Sequence, residues 1–518
     1  MPDLMAKKPL NIIMGEAQES GEHSLRRALG PTNLISLGIG AIIGTGIFVL
    51  TGTASANHAG PAIILSFVLA ALACVFAGLC YAEFASMIPV AGSAYTYGYA
   101  TLGEFVAWII GWDLILEYAL GAATVASGWS GYVLSLLGDL GIRVSPVLAG
   151  APGTKFVLYH GHWERLAGIA KKLAIEHIDP ASLPATTSSF NLFGFLGIAM
   201  VTVILVIGIK ESANFNSFIV IIKVCVLLVF LALGGAYILS HWSEAVANWH
   251  PFLPPNTGNY GAFGISGIAT AAGIIFFAYI GFDAVSTAAQ EAKNPARDMP
   301  IGILGSLVIC TILYILVAAV LTGLVKYTNL DVPDPIAIGI DVTGVRWGSM
   351  VVKLGAICGL SSTMVVMLLG QSRVFFSMSR DGLLPAWASK VHPRFRTPYL
   401  STIFVGLCVA IAGALTPIDV LGEMVSIGTL LAFIIVCAGI WVLRARGTEV
   451  KRAFVTPWVP FTPIMGILIS AYMMYSLATA TWIRLLVWLI IGLIIYFAYS
   501  RHRSKVQQGH PEEILVSH

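Results

Sequence analysis

The 518 residues are 57% hydrophobic and 11% charged, against roughly 25% charged in soluble chains, with a mean hydropathy of +0.85. That excludes a soluble globular protein, and a net charge of +3 gives no case for nucleic acid binding. All seven cysteines fall in apolar stretches without CxxC or metal-ligand spacing, so they read as packing residues, and neither a metal nor a cofactor is expected.

Residues 1–31 form a polar tail with acids and no cleavable signal. Twelve apolar stretches follow, near 32–52, 61–86, 102–136, 191–209, 214–240, 263–288, 299–325, 348–378, 397–414, 417–443, 459–479 and 482–500. Each is near the ~20 residues a helix needs to cross a bilayer, which predicts an all-α polytopic membrane protein with 12 transmembrane helices. The longest polar gap, 137–190, is too short for an independent domain. Within it, Trp163 to Leu173 carries apolar residues at helical spacing and predicts a short amphipathic helix. Placing the N-terminus inside puts nineteen of the 29 Lys and Arg residues on that side. Both termini, including the tail at 503–518, are therefore expected in the cytoplasm of a multi-pass cell-membrane protein. Lys353 lies near an outer span end and reads as snorkelling.

The first span crowds Gly38, Gly40, Gly44 and Gly46 into its middle. Close packing accounts for the first two, but Gly44-Thr45-Gly46 predicts an unwound segment. The sixth span carries Gly273, Gly281 and Asp283 where a lipid-facing helix wants none of them. If the first ten spans form two repeats of five, these two interruptions occupy corresponding positions, the pointer to a midplane binding site in secondary transporters.

Three further residues stand out. Lys223 lies roughly 14 Å into the fifth span, about twice as deep as a lysine side chain can snorkel, so its ammonium needs a function. Asp113 and Glu117, four apart on the third span, share one helix face and need a cation or a water-filled cavity nearby. Asp113 reads equally well as structural. Glu83 and Asp283 lie near inner helix ends and are expected to pair with basic loop residues, while Glu423 has no evident partner.

Several segments resemble one family. Cys80-Tyr81-Ala82-Glu83-Phe84 through Pro89-Val90-Ala91-Gly92-Ser93-Ala94-Tyr95 is one. Gly103-Glu104-Phe105 through Leu116-Glu117-Tyr118, Phe282-Asp283-Ala284-Val285 through Lys293-Asn294-Pro295, and Gln371-Ser372-Arg373 through Arg380-Asp381-Gly382 are the others. Together they resemble the amino acid, polyamine and organocation transporters, in the cationic amino acid transporter branch. The resemblance implies the five-plus-five inverted repeat shared with sodium-coupled neurotransmitter transporters, with helices 1 and 6 broken and two helices appended. The transport core would be 32–443, with repeats at 32–240 and 263–443, and helices 11 and 12 at 459–502. The expected activity is proton-coupled uptake of L-amino acids by alternating access, not enzymatic catalysis.

The same resemblance assigns roles. Ile42, Thr45 and Gly46, with Ile43 and Gly44 beside them, match positions that bind the substrate carboxylate, where free N–H groups and a positive helix end suit an anion. Carbonyls around Phe277, Ala278 and Ile280 suit the ammonium, and Phe277 reads either as a lid or as packing. Glu117 matches a position close to the substrate. Lys223 matches the lysine of proton-coupled members, standing where sodium sits in sodium-driven ones; the alternative is a structural ammonium capping carbonyls of the broken helix. Met367, bulky where a long side chain would pass, favours small neutral substrates such as alanine over arginine or lysine, with cationic substrates left open. A proton-independent exchanger and a sodium symporter using Ser362 or Thr363 stay open, as does a small single-helix membrane subunit beside the lipid and substrate partners.

Overall fold

A computed structural model describes residues 4–9, 12–13, 29–87, 93–166, 169, 173, 176–207, 213–287, 289, 292–395, 397–446, 452 and 454–509. Long apolar runs have no water to satisfy their backbone, so they fold as helices. Among the described residues, seven helical stretches are long and apolar enough to cross a membrane, and five shorter apolar helices of 10–17 residues stand among them. This is a polytopic helical membrane protein.

The first helix, α1 (Pro31–Ile42), starts on a proline whose missing N–H costs nothing at a helix start and stops at Ile42. Gly38 lies within it and packs closely on Ser306: a Cβ there would lie 2.4 Å from Ser306 Oγ. Helical structure resumes at Gly46 and runs to Ala59, where Gly60, with φ of 61° and ψ of −146°, breaks it; a short turn Gly60–Ala62 leads into α2 (Ile63–Met87). The stretches predicted at 32–52 and 61–86 are thus separated at Gly60, and a further break falls inside the first of them.

Then come α3 (Ser93–Thr101), α4 (Glu104–Asp139), α5 (Leu192–Ile207), α6 (Ala213–Ser240), α7 (Trp242–Trp249) and α8 (Gly264–Ile275). The second half comprises α9 (Pro295–Leu324), α10 (Pro335–Asp341), α11 (Arg346–Arg380), α12 (Tyr399–Leu415), α13 (Ile418–Arg446), α14 (Phe461–Tyr475) and α15 (Thr479–Ile495). The centre is α4 lying along α11, with α13 on α4 and α9 on α1 and α2. α1 is enclosed by α6, α9 and α11. Exposed Leu65, Val203, Ile221, Val308, Leu407 and Ile490 give the bundle an apolar exterior.

The polar gap departs from expectation. It holds a three-stranded antiparallel sheet, β1 (Lys155–Tyr159), β2 (His162–Arg165) and β3 (Ala185–Thr187), in the order β2-β1-β3. Trp163, Glu164 and Arg165, predicted to begin an amphipathic helix, pair with β1 instead. The cause is the two-residue turn His160-Gly161, with φ of 47° and 79°, which suits a tight hairpin and reverses the chain before a helix can form. Val157 and Tyr159 point inward at period two and bury with Leu173. Part of the predicted helix lies outside the described residues.

Several buried charges are paired. Glu83 accepts from Arg444 Nε and Nη2 at 3.0 Å each and from the Thr456 amide at 2.8 Å, with Arg452 3.8 Å away. Arg444→Ala is expected to lower apparent stability by about 2–3 kcal/mol, the loss of charge-assisted hydrogen bonds to a buried carboxylate, read as a lower melting temperature in detergent. Lys353 bonds Asp139 at the end of α4, so its depth reflects an ion pair and not snorkelling. Glu423 accepts from the Thr481 hydroxyl. Lys8 reaches Asp381 at 2.8 Å, both nearly inaccessible, which fastens the N-terminal strap beneath α11.

Candidate functional site

The last carbonyls of a helix have no amide one turn ahead. At the end of α1, Ile39 O takes the Ile43 amide at 2.9 Å. Other helices supply the remaining donors. Lys223 Nζ, from α6, donates to Gly40 O at 2.7 Å and Ile43 O at 3.0 Å. It also donates to Thr363 Oγ1 of α11 at 2.8 Å, and that hydroxyl stands 3.1 Å from Ile43 O. Lys223 is fully buried, and its stem runs over Gly359, where a Cβ would sit 3.1 Å from Lys223 Cγ. The negative end of the α1 dipole faces this ammonium, a favourable arrangement.

The second break mirrors the first. α8 tightens into the 3-10 turn Phe276–Tyr279, whose Phe277 O takes the Ile280 amide at 3.2 Å. Gly281 follows with φ of 114°, and a Cβ there would meet the Ala41 backbone at 2.9 Å. Only glycine combines that backbone angle with that approach. On the other side of the break, Gly46 packs on Ala278 so closely that a Cβ at 46 would lie 2.2 Å from Ala278 Cα. Tyr314 of α9 ties the segments together: its hydroxyl stands 2.9 Å from Ile42 O and 3.0 Å from Ala278 O.

The structure thus packs Gly46 on Ala278 and links Ile42 to Ala278 through Tyr314, and Ile43, Gly44, Thr45, Phe277 and Ile280 are buried in the same two broken segments. Thr45 Oγ1 has no hydrogen-bond partner among the described residues and lies against Gly128 of α4, 3.0 Å from a Cβ there. Past Gly44 begins a half-helix whose N-terminal end is positive, while the end of α1 is negative. The junction therefore offers an anion end and a cation end to one ligand.

α4 supplies the carboxylates. Glu117 and Asp113 are 1% exposed, and Glu117 Oε1 and both Asp113 oxygens have no hydrogen-bond partner among the described residues. Glu117 has Asp283 and Asp113 as charged neighbours. Asp283 accepts from Tyr118 at 2.9 Å, inside the bundle and next to the second break. Asp113 faces α13, its Oδ1 3.0 Å from where a Gly428 Cβ would be. Met367 of α11 is buried with Sδ 3.5 Å from where a Cβ at Gly121 would sit, one turn along α4 from Glu117. Sequence reasoning placed Thr363 only as a sodium ligand and missed Tyr314, because a single tyrosine in an apolar span carries no pattern.

Residues 29–501 match the family model described as amino acid permease. A branched-chain amino acid permease of Bacillus subtilis is 46% identical over 493 residues, covering 95% of this chain and 97% of the relative. A methylthioribose transporter of the same organism is 41% identical, covering 97% and 99%. A vacuolar cationic amino acid transporter 4 of Arabidopsis thaliana is 30% identical, covering 94% of each. These relatives are permeases and transporters, not enzymes. With the match running from α1 to the end of the last helix, the chain belongs to the amino acid permease family.

Proposed function

We propose that the protein is a proton-coupled secondary transporter that takes up small neutral L-amino acids by alternating access. The transport core is 32–443, an inverted repeat of five-plus-five helices at 32–240 and 263–443, with 459–502 adding the eleventh and twelfth crossings. Both termini face the cytoplasm of the cell membrane, the side that then carries most of the Lys and Arg residues. The substrate carboxylate sits on the N–H groups at Thr45 and Gly46, beside Ile42, Ile43 and Gly44. Its ammonium sits on carbonyls at Phe277, Ala278 and Ile280, and Glu117 senses it from α4. Asp113 is accessory, and Met367 limits side-chain length. Proton and substrate are the only small species the mechanism needs.

The observation that carries this reading is the Lys223 ammonium seated on Gly40 O, Ile43 O and Thr363 Oγ1. Those three oxygens are ligands a sodium ion would use, and a fixed cation among them disfavours a sodium symporter. Losing the proton from Lys223 would free the end of α1 to move, which is how a proton would gate one half of the broken helix. The similarity to a branched-chain permease supports extending the neutral substrates to leucine, isoleucine and valine, while a relative 41% identical is named for methylthioribose.

Melting temperature screened against the twenty amino acids tests the substrate, because a ligand that binds the folded state stabilises it. Alanine or a branched-chain amino acid at ~100 times its Kd is expected to add about 2.7 kcal/mol. Stabilisation by arginine alone would overturn the assignment to Met367. Uptake into liposomes with and without internal amino acid separates symport from exchange.

A further inference from the structure

The hydroxyl of Tyr314 has one hydrogen and two acceptors, Ile42 O at 2.9 Å and Ala278 O at 3.0 Å. It can satisfy one fully and leaves the other short of a donor. Ile42 O terminates α1 and Ala278 O lies in the turn that ends α8, so each belongs to a different broken helix. Both carbonyls are buried, where an acceptor without a donor is costly. A ligand ammonium brings three donors to that deficit.

We propose that Tyr314 is a positioning residue for the amino-group end of the site, spanning the two breaks with one proton so that one carbonyl is left for the ligand. This deepens the reading of an amino acid site and rests on it. The ring is held independently of the hydroxyl: it packs on Phe67 at 5.6 Å and on Tyr279 at 5.5 Å between centroids. Removing the oxygen therefore leaves the aromatic cluster in place. Tyr279 gives the matched control, since its hydroxyl donates to Phe67 O of α2 at 3.1 Å and touches neither broken end.

Tyr314→Phe and Tyr279→Phe are to be purified beside the wild type, with Kd measured by calorimetry and KM and kcat in liposomes for the amino acid that stabilises the wild type best. For Tyr314→Phe, Kd and KM are expected to rise about tenfold while kcat changes less than threefold, because without the hydroxyl the two broken ends are no longer held together and the ligand must organise its own site. Tyr279→Phe should leave KM within twofold. A purely structural role would lower melting temperature and kcat and leave KM alone, and that outcome overturns the proposal, as does an equal KM rise in both variants. Should Tyr314→Phe fail to fold, Tyr314→Met, which also lacks a donor, is read the same way, and an unchanged KM there also overturns it. A wild type that binds no amino acid removes the transport reading itself, whereas a normal wild type with an unaffected Tyr314→Phe removes only the role of Tyr314.

Discussion

Lys223→Met is expected to reduce uptake driven by an inward proton gradient to the background of empty liposomes. The methionine fills the path over Gly359 but can neither hold a proton nor donate to Gly40 O, Ile43 O and Thr363 Oγ1. Each charge-assisted hydrogen bond lost from a buried acceptor is worth about 1.5–3 kcal/mol, so melting temperature falls too. Substrate binding should survive, because the carbonyls proposed for the ammonium lie on the other broken helix. Exchange between labelled and unlabelled amino acid, with no pH gradient, separates the two roles of the lysine. Retained exchange with lost gradient-driven uptake identifies a coupling group; loss of exchange and binding together identifies a structural cap. Gradient-driven uptake at the wild-type rate would remove Lys223 from the mechanism.

Legibility in the sequence followed physical cause. Lys223 and the glycines at 44 and 46 were readable because a charge and a set of helix breakers in an apolar span violate what lipid demands. The packing partner was not: close packing was expected at Gly38 and Gly40 and unwinding at Gly44-Thr45-Gly46, but only the structure shows that Gly38 lies against Ser306. Periodicity misled in the gap at 137–190, where a two-residue turn at His160-Gly161 outweighed helical spacing in Trp163 to Arg165. Long-range pairs such as Lys8 with Asp381 or Thr481 with Glu423 were invisible, since the partners are separated by 373 and 58 positions and nothing local links them. Tyr314 belongs to the same class, legible only once both carbonyls are in view.

Gly46→Ala is expected to abolish binding, and Gly44→Ala only to weaken it. At 46 the added Cβ would lie 2.2 Å from Ala278 Cα, 2.4 Å from its Cβ and 2.7 Å from its N. Two of those three atoms are backbone, and no rotamer change relieves the contact, so the two broken helices must separate by roughly 1 Å. At 44 the Cβ would meet Thr363 Cγ2 at 3.1 Å, a side-chain atom that can turn away. Turning it disturbs the hydroxyl bonded to Lys223, so the cost appears in proton coupling before it appears in substrate affinity. Melting temperature with and without amino acid, together with uptake, checks the pair: no ligand-induced stabilisation for Gly46→Ala, and an affinity loss of about tenfold or less for Gly44→Ala, near 1.4 kcal/mol. Wild-type affinity in Gly46→Ala would show that the spacing of the two breaks does not define the site. A ligand held by its carboxylate on one half-helix and its ammonium on the other has fixed dimensions, so a junction that sets the gap with a bare backbone contact sets the ligand's charge separation as well.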